Sequence, residues 1–166
     1  MLVAAIAEIS KGCASASRMV AAQDLTSLPM KLHASDDLKD RVLPKMASGE
    51  WLGAFCLSEP DAGSDPGAMR TRATKVDGGW QLNGAKNWIT NAGVADVYVT
   101  FAVTDPDVKY SRGITAFAVM ADSPGFRIDA LEHKMGMKGS PTGQPVYEDV
   151  FVPDENVIGE VGKGFI

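Results

Sequence analysis

The sequence has few of the residues that build metal sites and disulfide frameworks. Its 166 residues include two cysteines and two histidines, and none of them stands in a spacing typical of zinc ligands. We therefore expect no metal site, and we expect Cys13 and Cys56 to be small buried residues of a reducing compartment. No apolar run reaches the roughly 18 residues that a membrane-spanning helix needs.

Concentrated positive charge is also missing. The chain has 21 acidic and 16 basic residues, a net charge of −5, and no run of lysine or arginine, which argues against a general nucleic-acid surface. Residues 1–10 are apolar but contain Glu8 and lack a basic start, so they predict a helix rather than a signal peptide. Without a targeting signal, we expect a cytoplasmic protein in a bacterium, or a mitochondrial matrix protein in a eukaryote.

The first 50 residues predict part of a helical domain. Apolar residues recur near helical spacing over residues 2–22, where Gly12 is the weakest position for a helix. Ser35 is the expected N-cap of a second helix, and Gly49 is expected to end it. Pro44 lies inside this second pattern and is expected to kink or break it.

From residue 51 onward the pattern changes to short strands. We predict strands over residues 53–57, 71–76, 80–82, 97–103, 114–120, 126–128 and 146–152. Asp77 and Gly78 predict a tight hairpin turn, residues 104–113 a polar loop, and residues 123–125 a further turn. The predicted fold class is therefore α+β, with N-terminal α-helices followed by an antiparallel β-barrel or sandwich over residues 51–157. Residues 158–166 read as a glycine-rich linker.

A polar turn follows the first predicted strand. The run Phe55-Cys56-Leu57-Ser58-Glu59-Pro60-Asp61-Ala62-Gly63-Ser64-Asp65 begins as an apolar strand and then turns, because Pro60 fixes φ and Gly63 allows positive φ. The Ser58 and Ser64 hydroxyls and free backbone amides can face one polar ligand there. The alternative is an ordinary strand-to-loop transition with two solvated serines. We expect Glu59 and Asp65 to bind backbone amides and fix the turn, not to act as acid and base.

A second stretch, Lys86-Asn87-Trp88-Ile89-Thr90-Asn91-Ala92-Gly93, pairs an aromatic ring with a hydroxyl. In a strand, Trp88 and Thr90 would point to the same face, because side chains alternate with period two. An indole beside a hydroxyl suits a flat conjugated ring such as a flavin. The alternative is a core tryptophan at a strand end.

Together the two stretches resemble the acyl-CoA dehydrogenase family. The first motif of this family is aromatic-Cys-x-[Thr/Ser]-Glu-Pro-x-Ala-Gly-Ser-Asp. The second motif, Trp-Ile-[Thr/Ser]-Asn, follows some two dozen residues later. The segments Lys134-Met135-Gly136-Met137-Lys138-Gly139-Ser140-Pro141-Thr142 and Tyr147-Glu148-Asp149-Val150-Phe151-Val152-Pro153 are similar to two more motifs of this family. The four motifs occur in the family's order, and the resemblance covers nearly the whole chain.

The resemblance implies a FAD enzyme with a helical N-terminal domain, a middle β-domain and a C-terminal helical bundle. Such an enzyme removes two hydrogens across the α and β carbons of an acyl-CoA thioester: a glutamate takes the α proton and flavin N5 accepts the β hydride. Ser58 is then expected at the isoalloxazine edge, Trp88 over the ring, Thr90 near N5, and Ser64 at the cofactor and the acyl-CoA chain. The cofactor contacts implied by the motifs are Phe55, Leu57, Ser58, Ser64, Trp88, Ile89 and Thr90.

Two departures from the family pattern matter. Asp61 stands where the family more often has Gly or Asn, and its charge would be unfavourable beside a phosphate. The glutamate base belongs to the family's C-terminal bundle, so we assign no catalytic residue here and expect a fragment that is inactive alone. The resemblance also implies an electron-transfer flavoprotein as acceptor and a homo-oligomer at full length.

Other functions remain open at this stage. An oxidase-like relative would carry the same motifs, because the relatives differ in how the reduced flavin meets oxygen. A non-catalytic module that binds FAD or acyl-CoA, or that serves only for interaction, is the alternative from a different class. The length and branching of the acyl group are not specified by these residues.

Overall fold

A computed structural model describes residues 1–108 and 113–165 of the chain. Its helices are α1 (Leu2–Gly12), α2 (Ala14–His33) and α3 (Asp36–Ser48). Its strands are β1 (Gly53–Cys56), β2 (Arg72–Val76), β3 (Gly79–Ala85), β4 (Ile89–Thr90), β5 (Val97–Val103), β6 (Ile114–Met120), β7 (Phe126–Leu131), β8 (Thr142–Pro153) and β9 (Val157–Ile158). Short 3-10 helices span Pro66–Ala68 and Asp154–Asn156. The predicted fold class, helices followed by a mainly antiparallel sheet, is confirmed.

The helices differ from prediction in where they break. The first predicted helix is two helices, because Cys13 between them is extended with φ of −155°. The second of these runs to His33, eleven residues beyond the predicted end. Hydrophobic spacing does not reveal this extension, because polar Gln23 faces inward and donates to the carbonyls of Met46 and Trp51.

The third helix follows its predicted boundaries. The Ser35 hydroxyl accepts a hydrogen bond from the Leu38 amide at 3.2 Å, which confirms the N-cap. Gly49 ends the helix in the left-handed conformation with φ of 80°. Pro44 was predicted to kink or break the helix, but it does not end it, and the helix continues to Ser48.

The sheet runs in the order β4-β8-β3-β2-β5-β6-β9, with β1 beside β5 and β7 beside β8. Most neighbours are antiparallel, as predicted, and the hairpin between β2 and β3 turns at Gly78 with φ of 71°. The sheet also contains two parallel pairings that the strand pattern did not indicate. β1 lies parallel to β5, and β2 meets β5 in parallel register through Arg72 and Val103. The intervening β2–β3 hairpin gives the chain enough length for such a crossover.

Two strands match their predicted limits, and three strands, β3, β7 and β8, are longer than predicted. β5 and β6 have the boundaries that their apolar runs predict, and the turn before β7 has Gly125 at φ of 83°. β7 continues three residues past the prediction, and β8 begins four residues before it. The additional residues of β7 and β8 pair with each other, and those of β8 also pair with β4. Pairing with distant strands therefore lengthens β7 and β8 beyond what their local sequence predicts. Of the predicted polar loop, residues 109–112 lie outside the described residues, as does Ile166.

Two hydrophobic cores lie on opposite faces of β5 and β6. One core lies within the β-sheet and contains Trp80, Phe117 and Tyr147. The other contains Met30 and Leu38 from the helices together with Val97, Phe101 and Ile114 from the strands. β5 and β6 are therefore covered on both faces, which explains their nearly continuous apolar sequences.

The last residues, expected to be a glycine-rich linker, lie along β6. The Gly162 amide donates to the Thr115 hydroxyl at 2.8 Å, and the Gly164 amide donates to the Ile114 carbonyl at 2.8 Å. The Phe165 ring packs edge-on against Phe101, with ring centroids 6.5 Å apart. Ile158 and Phe165 thus contact the second core, while Gly159, Glu160, Val161 and Lys163 are exposed.

Two properties expected from composition can be compared with the structure. Cys56 is buried as predicted, but Cys13 is exposed, because it stands at the break between α1 and α2 and not inside a helix. Among the described residues, no helix is both long and apolar enough to cross a bilayer.

Candidate functional site

The two polar stretches singled out in the sequence meet in space. The Asn87 amide donates to the Ser58 carbonyl at 2.9 Å, and Lys86 Nζ donates to the Leu57 carbonyl at 3.2 Å. These bonds join the end of β1 to the connection between β3 and β4. Ser58 and Trp88, thirty residues apart in the chain, therefore belong to one site.

The segment from Lys134 to Thr142 contacts the same site. β4 pairs with β8, so Thr90 stands opposite Thr142, and the Asn91 amide donates to the Pro141 carbonyl at 2.9 Å. Lys134 Nζ donates to the Thr142 hydroxyl at 2.9 Å. Three of the four sequence motifs are thus linked by hydrogen bonds.

Trp88 has an unusual backbone conformation. Its φ is 60°, a value that bulky residues rarely adopt, and its amide donates to the Asn87 side chain at 2.9 Å. β4 begins only at Ile89, so the prediction that strand alternation aligns Trp88 with Thr90 was wrong. Trp88 is 60% exposed, so it is not part of the core that the described residues form. Strained backbone that presents a large aromatic side chain to solvent is typical of ligand sites.

Thr90 is half-buried and has a partner that the sequence did not indicate. Arg18, on α2, donates to the Thr90 hydroxyl from Nη2 at 3.1 Å and from Nε at 3.3 Å. This contact brings a helix of the N-terminal region against the site. It also places a positive charge beside the hydroxyl.

The apolar residues predicted for the site differ in exposure. Ile89 is 2% exposed and belongs to the core within the sheet, so only its backbone is available to a ligand. Phe55 and Leu57 are half-buried and pack toward the second core on the side of the helices. Phe55 stacks at a tilt on Phe101, with ring centroids 5.0 Å apart.

The turn after β1 closes earlier than predicted. Glu59 and Ala62 bond each other through both backbone amides, at 3.0 and 3.2 Å. Gly63 could adopt positive φ but does not do so, because Glu59 to Ala62 already makes the turn. Ser64 is exposed on the following loop.

The acidic side chains of this turn are all engaged. Asp65 accepts from the Gly67 amide at 3.2 Å, as predicted for a residue that fixes the turn. Asp61 lies 3.1 Å from the Arg70 guanidinium, which offsets the unfavourable charge inferred at this position. Both members of that ion pair are exposed, so it contributes little to stability.

Glu59 forms the buried part of this network. Its carboxylate accepts from the Arg70 amide at 2.6 Å, the Thr71 amide at 3.0 Å and Lys86 Nζ at 2.8 Å. Burial would raise the pKa of Glu59, but the Lys86 charge and the amide hydrogen bonds outweigh it, and the pKa lies below its usual value. Burial lowers the pKa of Lys86, and the Glu59 charge opposes that effect.

Sequence reasoning missed Lys86 and Arg18. A lysine between a strand and a tryptophan is ordinarily exposed, and no pattern pairs it with a glutamate 27 residues earlier. Arg18 lies at one end of a helix whose polar and apolar residues are not separated into faces. Only the identification of Glu59 as an amide acceptor pointed toward this network.

The arrangement is suited to binding a ligand rather than to acid–base chemistry. It offers an exposed indole, the hydroxyls of Ser58 and Thr90 and the cation of Arg18, while the nearby carboxylates are held by amides or cations. In the described ranges, no group of three or more His, Cys, Asp or Glu side chains could hold a metal ion. A flat, polar-edged ring is the kind of ligand that these residues fit.

Comparison with known proteins defines the class to which this fold and site belong. Residues 54–150 match the family described as acyl-CoA dehydrogenase, middle domain, and residues 1–50 match acyl-CoA dehydrogenase, N-terminal domain. The chain therefore belongs to the acyl-CoA dehydrogenase family.

Particular relatives agree with this assignment. A probable acyl-CoA dehydrogenase of Mycobacterium tuberculosis is 45% identical over 161 residues, which cover 96% of this chain and 41% of the relative. The short-chain specific acyl-CoA dehydrogenase of Clostridium acetobutylicum is 42% identical, over 98% of this chain and 43% of its own length. The structure of butyryl-CoA dehydrogenase from Megasphaera elsdenii superposes with a TM-score of 0.94 at 42% identity, covering 97% of this chain and 42% of that one. The chain thus spans about 40% of the length of these relatives.

Proposed function

We propose that this chain provides the flavin-contacting part of a FAD-dependent acyl-CoA dehydrogenase. The observation that carries the proposal is Trp88, whose indole is 60% exposed on a left-handed backbone beside Thr90. A core residue would gain from burying that ring, so its presentation to solvent favours a ligand as its partner. Family membership makes a flavin the ligand that best fits.

The residues present fit FAD. Trp88 would cover the isoalloxazine ring, Ser58 would bond its polar edge, and Thr90 would approach N5. Phe55 and Leu57 would supply apolar contacts from β1, and Ile89 would contribute through its backbone. When bound, FAD supplies the hydride acceptor for α,β-dehydrogenation.

Substrate binding is proposed for the loop after β1. Ser64 is exposed there and would contact the cofactor and the acyl-CoA chain. The base that takes the α proton would come from outside these residues, because Glu59, Asp61 and Asp65 are already paired. The described part of the chain would then hold flavin and thioester in place without performing proton transfer.

The wider organisation is proposed by analogy with the acyl-CoA dehydrogenase family. We propose that residues 1–50 complete a helical domain, that residues 51–157 form the flavin and acyl-CoA domain, and that residues 158–166 lead toward a C-terminal helical domain. We propose an electron-transfer flavoprotein as the acceptor, as membership of the acyl-CoA dehydrogenase family implies. We propose that the full-length protein is a homo-oligomer. We propose the bacterial cytoplasm, or a mitochondrial matrix, as its location.

The proposal is tested by replacing the two principal flavin contacts together. The protein is expressed from its complete reading frame, and bound FAD is measured by absorbance for the parent and for Trp88→Ala/Thr90→Ala. We expect the double variant to lose most of its flavin, because ring coverage and the hydroxyl are both removed. A matched control, Phe151→Ala/Thr74→Ala, removes an aromatic and a threonine that are exposed elsewhere on the sheet and should keep its FAD. If the Trp88→Ala/Thr90→Ala variant binds as much FAD as the control variant, the assignment of Trp88 and Thr90 as flavin contacts is contradicted.

A second function, binding without catalysis, is favoured by the paired carboxylates of the loop. A protein of this kind would hold FAD or acyl-CoA but would lack a free base. The two functions differ when acyl-CoA is added without oxygen: a dehydrogenase loses its visible flavin absorbance, and a binding module keeps it. An oxidase-like relative would reduce its flavin similarly and then form hydrogen peroxide when air is admitted.

A further inference from the structure

A buried ion pair lies directly beneath the candidate site. Lys86 has 0% of its side chain exposed, and Glu59 has 5%, with 2.8 Å between Nζ and the carboxylate oxygen. The other ion pairs in the described ranges have both partners substantially exposed, apart from Lys39 at 30%. This pair therefore differs from the other described ion pairs both in its burial and in its position beneath the candidate site.

The pair connects four separate segments. Lys86 is anchored by its own amide, which donates to the Pro145 carbonyl of β8 at 2.8 Å. Its Nζ then donates to the Leu57 carbonyl at 3.2 Å as well as to Glu59. The second oxygen of Glu59 accepts from the Arg70 amide at the start of the β2 region. These bonds fix four segments relative to one another: the end of β1, the polar turn, the entry to β2 and the β3–β4 connection.

Stability alone does not account for such a pair. Removing two charges from water costs several kcal/mol for each ion, and a well-packed apolar pair is often as stable. What the ion pair adds is directionality, because each hydrogen bond fixes an angle as well as a distance. Leu57 and Glu59, which the pair holds, flank Ser58, and Lys86 lies two residues before Trp88.

We propose that Glu59 and Lys86 are positioning residues that set the placement of Ser58 relative to Trp88. The proposal rests on the proposed function, since those two residues are the expected flavin contacts. Neither charged group touches the ligand. They act through the Leu57 carbonyl, which accepts from Lys86 Nζ, and through the backbone of residues 86–88, where the Asn87 amide donates to the Ser58 carbonyl.

The first test needs no flavin. Nitrogen-15 NMR spectra are compared for the parent, Lys86→Met and Glu59→Gln, with Lys75→Met and Asp154→Asn as matched controls from an exposed ion pair. We expect the Trp88 indole and Asn87 amide resonances to move in both site variants, while the Trp51 indole resonance stays in place. The controls should leave the Trp88 and Asn87 signals unchanged. Unmoved Trp88 and Asn87 signals in folded site variants would overturn the proposal.

The second test measures FAD affinity and the visible spectrum of the bound flavin. We expect Lys86→Met and Glu59→Gln to weaken FAD binding by about tenfold or more and to shift the flavin bands, with the controls unchanged. If a single variant fails to fold, the double variant Glu59→Gln/Lys86→Met removes the unpaired buried charge. The double variant should fold and still show the weakened binding, and normal binding in it would overturn the proposal.

The two tests separate the failure of this inference from the failure of the proposed function. A parent protein that binds no FAD contradicts the proposed function, whereas moved Trp88 and Asn87 signals would still support the positioning role. A parent that binds FAD, together with site variants that bind it equally well, contradicts the positioning role alone.

Discussion

At the scale of single residues, the turn after β1 has no carboxylate free for proton transfer. Glu59 is held by two amides and Lys86, Asp65 by the Gly67 amide, and Asp61 by Arg70. The low pKa of Glu59 keeps it ionised near neutral pH, where an ionised and fully bonded carboxylate is a poor base. These carboxylates therefore hold the turn in place and are not free to take a proton.

The two thiols should react very differently. Burial raises the pKa of Cys56 to about 12, whereas Cys13 is exposed at the helix break. We expect iodoacetamide at pH 8 to label Cys13 but not Cys56 in the native protein, and to label both residues in denaturant. Peptide mass spectrometry identifies the labelled residue.

A Cys13→Ser variant provides the control for this labelling. In this variant the peptide that contains Cys56 should stay unlabelled while the protein is folded and become labelled when it is denatured. Rapid labelling of Cys56 in the folded control would contradict the buried position of β1.

Residue identities at the site could be predicted from the sequence, but their environments could not. The motifs selected Ser58, Trp88 and Thr90, and the structure brings these segments together. The left-handed backbone of Trp88 and the burial of Lys86 depend on contacts with β8 and with the turn after β1. Local pattern carries no information about such distant contacts.

At the scale of elements, the hairpins and caps depend on specific backbone conformations. Gly125 enters β7 with φ of 83°, and a Cβ there would overlap the Glu148 carbonyl oxygen. Gly136 lies on the neighbouring exposed segment, without positive φ and with nothing within 4 Å of an added Cβ. These two glycines therefore form a matched pair for substitution.

We expect Gly125→Ala to lower the free energy of unfolding by about 2 kcal/mol or more, because left-handed backbone alone costs an alanine roughly 1–2 kcal/mol and the overlap adds to it. Gly136→Ala should leave the free energy of unfolding within about 0.5 kcal/mol of the parent value. Urea denaturation of both variants measures the difference. Equal stability of the two variants would contradict the turn geometry.

Element boundaries were predicted well where local chemistry decides them. The Ser35 cap, the Gly49 end of α3, the hairpin at Gly78 and the limits of β5 follow from local sequence. The extension of α2 and the lengths of β7 and β8 do not, because tertiary partners decide them.

At the scale of the whole molecule, the helices and the sheet share one core. Leu38 is 1% exposed and packs in the cluster that also contains Val97, Val99 and Ile114 of the central strands. The two family regions of the chain are thus joined by apolar packing. Helices and sheet should unfold together.

We expect Leu38→Ala to destabilise the protein by about 2–5 kcal/mol and to lower hydrogen-exchange protection in α3 and β6 alike. Leu25→Ala, at a leucine that is 49% exposed on α2, is the control and should change protection little. Hydrogen exchange followed by NMR resolves both regions. Loss of protection in α3 with unchanged protection in β6 would show that the shared core does not couple them.

The overall fold class could be predicted from the sequence, but the connection between its layers could not. The change from helical to strand periodicity near residue 50 is local, whereas the parallel pairing of β1 with β5 depends on how the hairpin between them packs. The same packing places Arg18 of α2 beside Thr90 of β4, so the site itself is built from both regions.

The most direct test of the account is flavin reduction by acyl-CoA in the protein expressed from its complete reading frame. The purified protein is titrated without oxygen with straight-chain, branched and dicarboxylic acyl-CoA thioesters while the visible flavin absorbance is recorded. We expect at least one thioester to bleach the flavin and mass spectrometry to find the matching enoyl-CoA, two hydrogens lighter. A protein that carries FAD but is bleached by none of these classes would contradict the proposed dehydrogenase and favour the binding module.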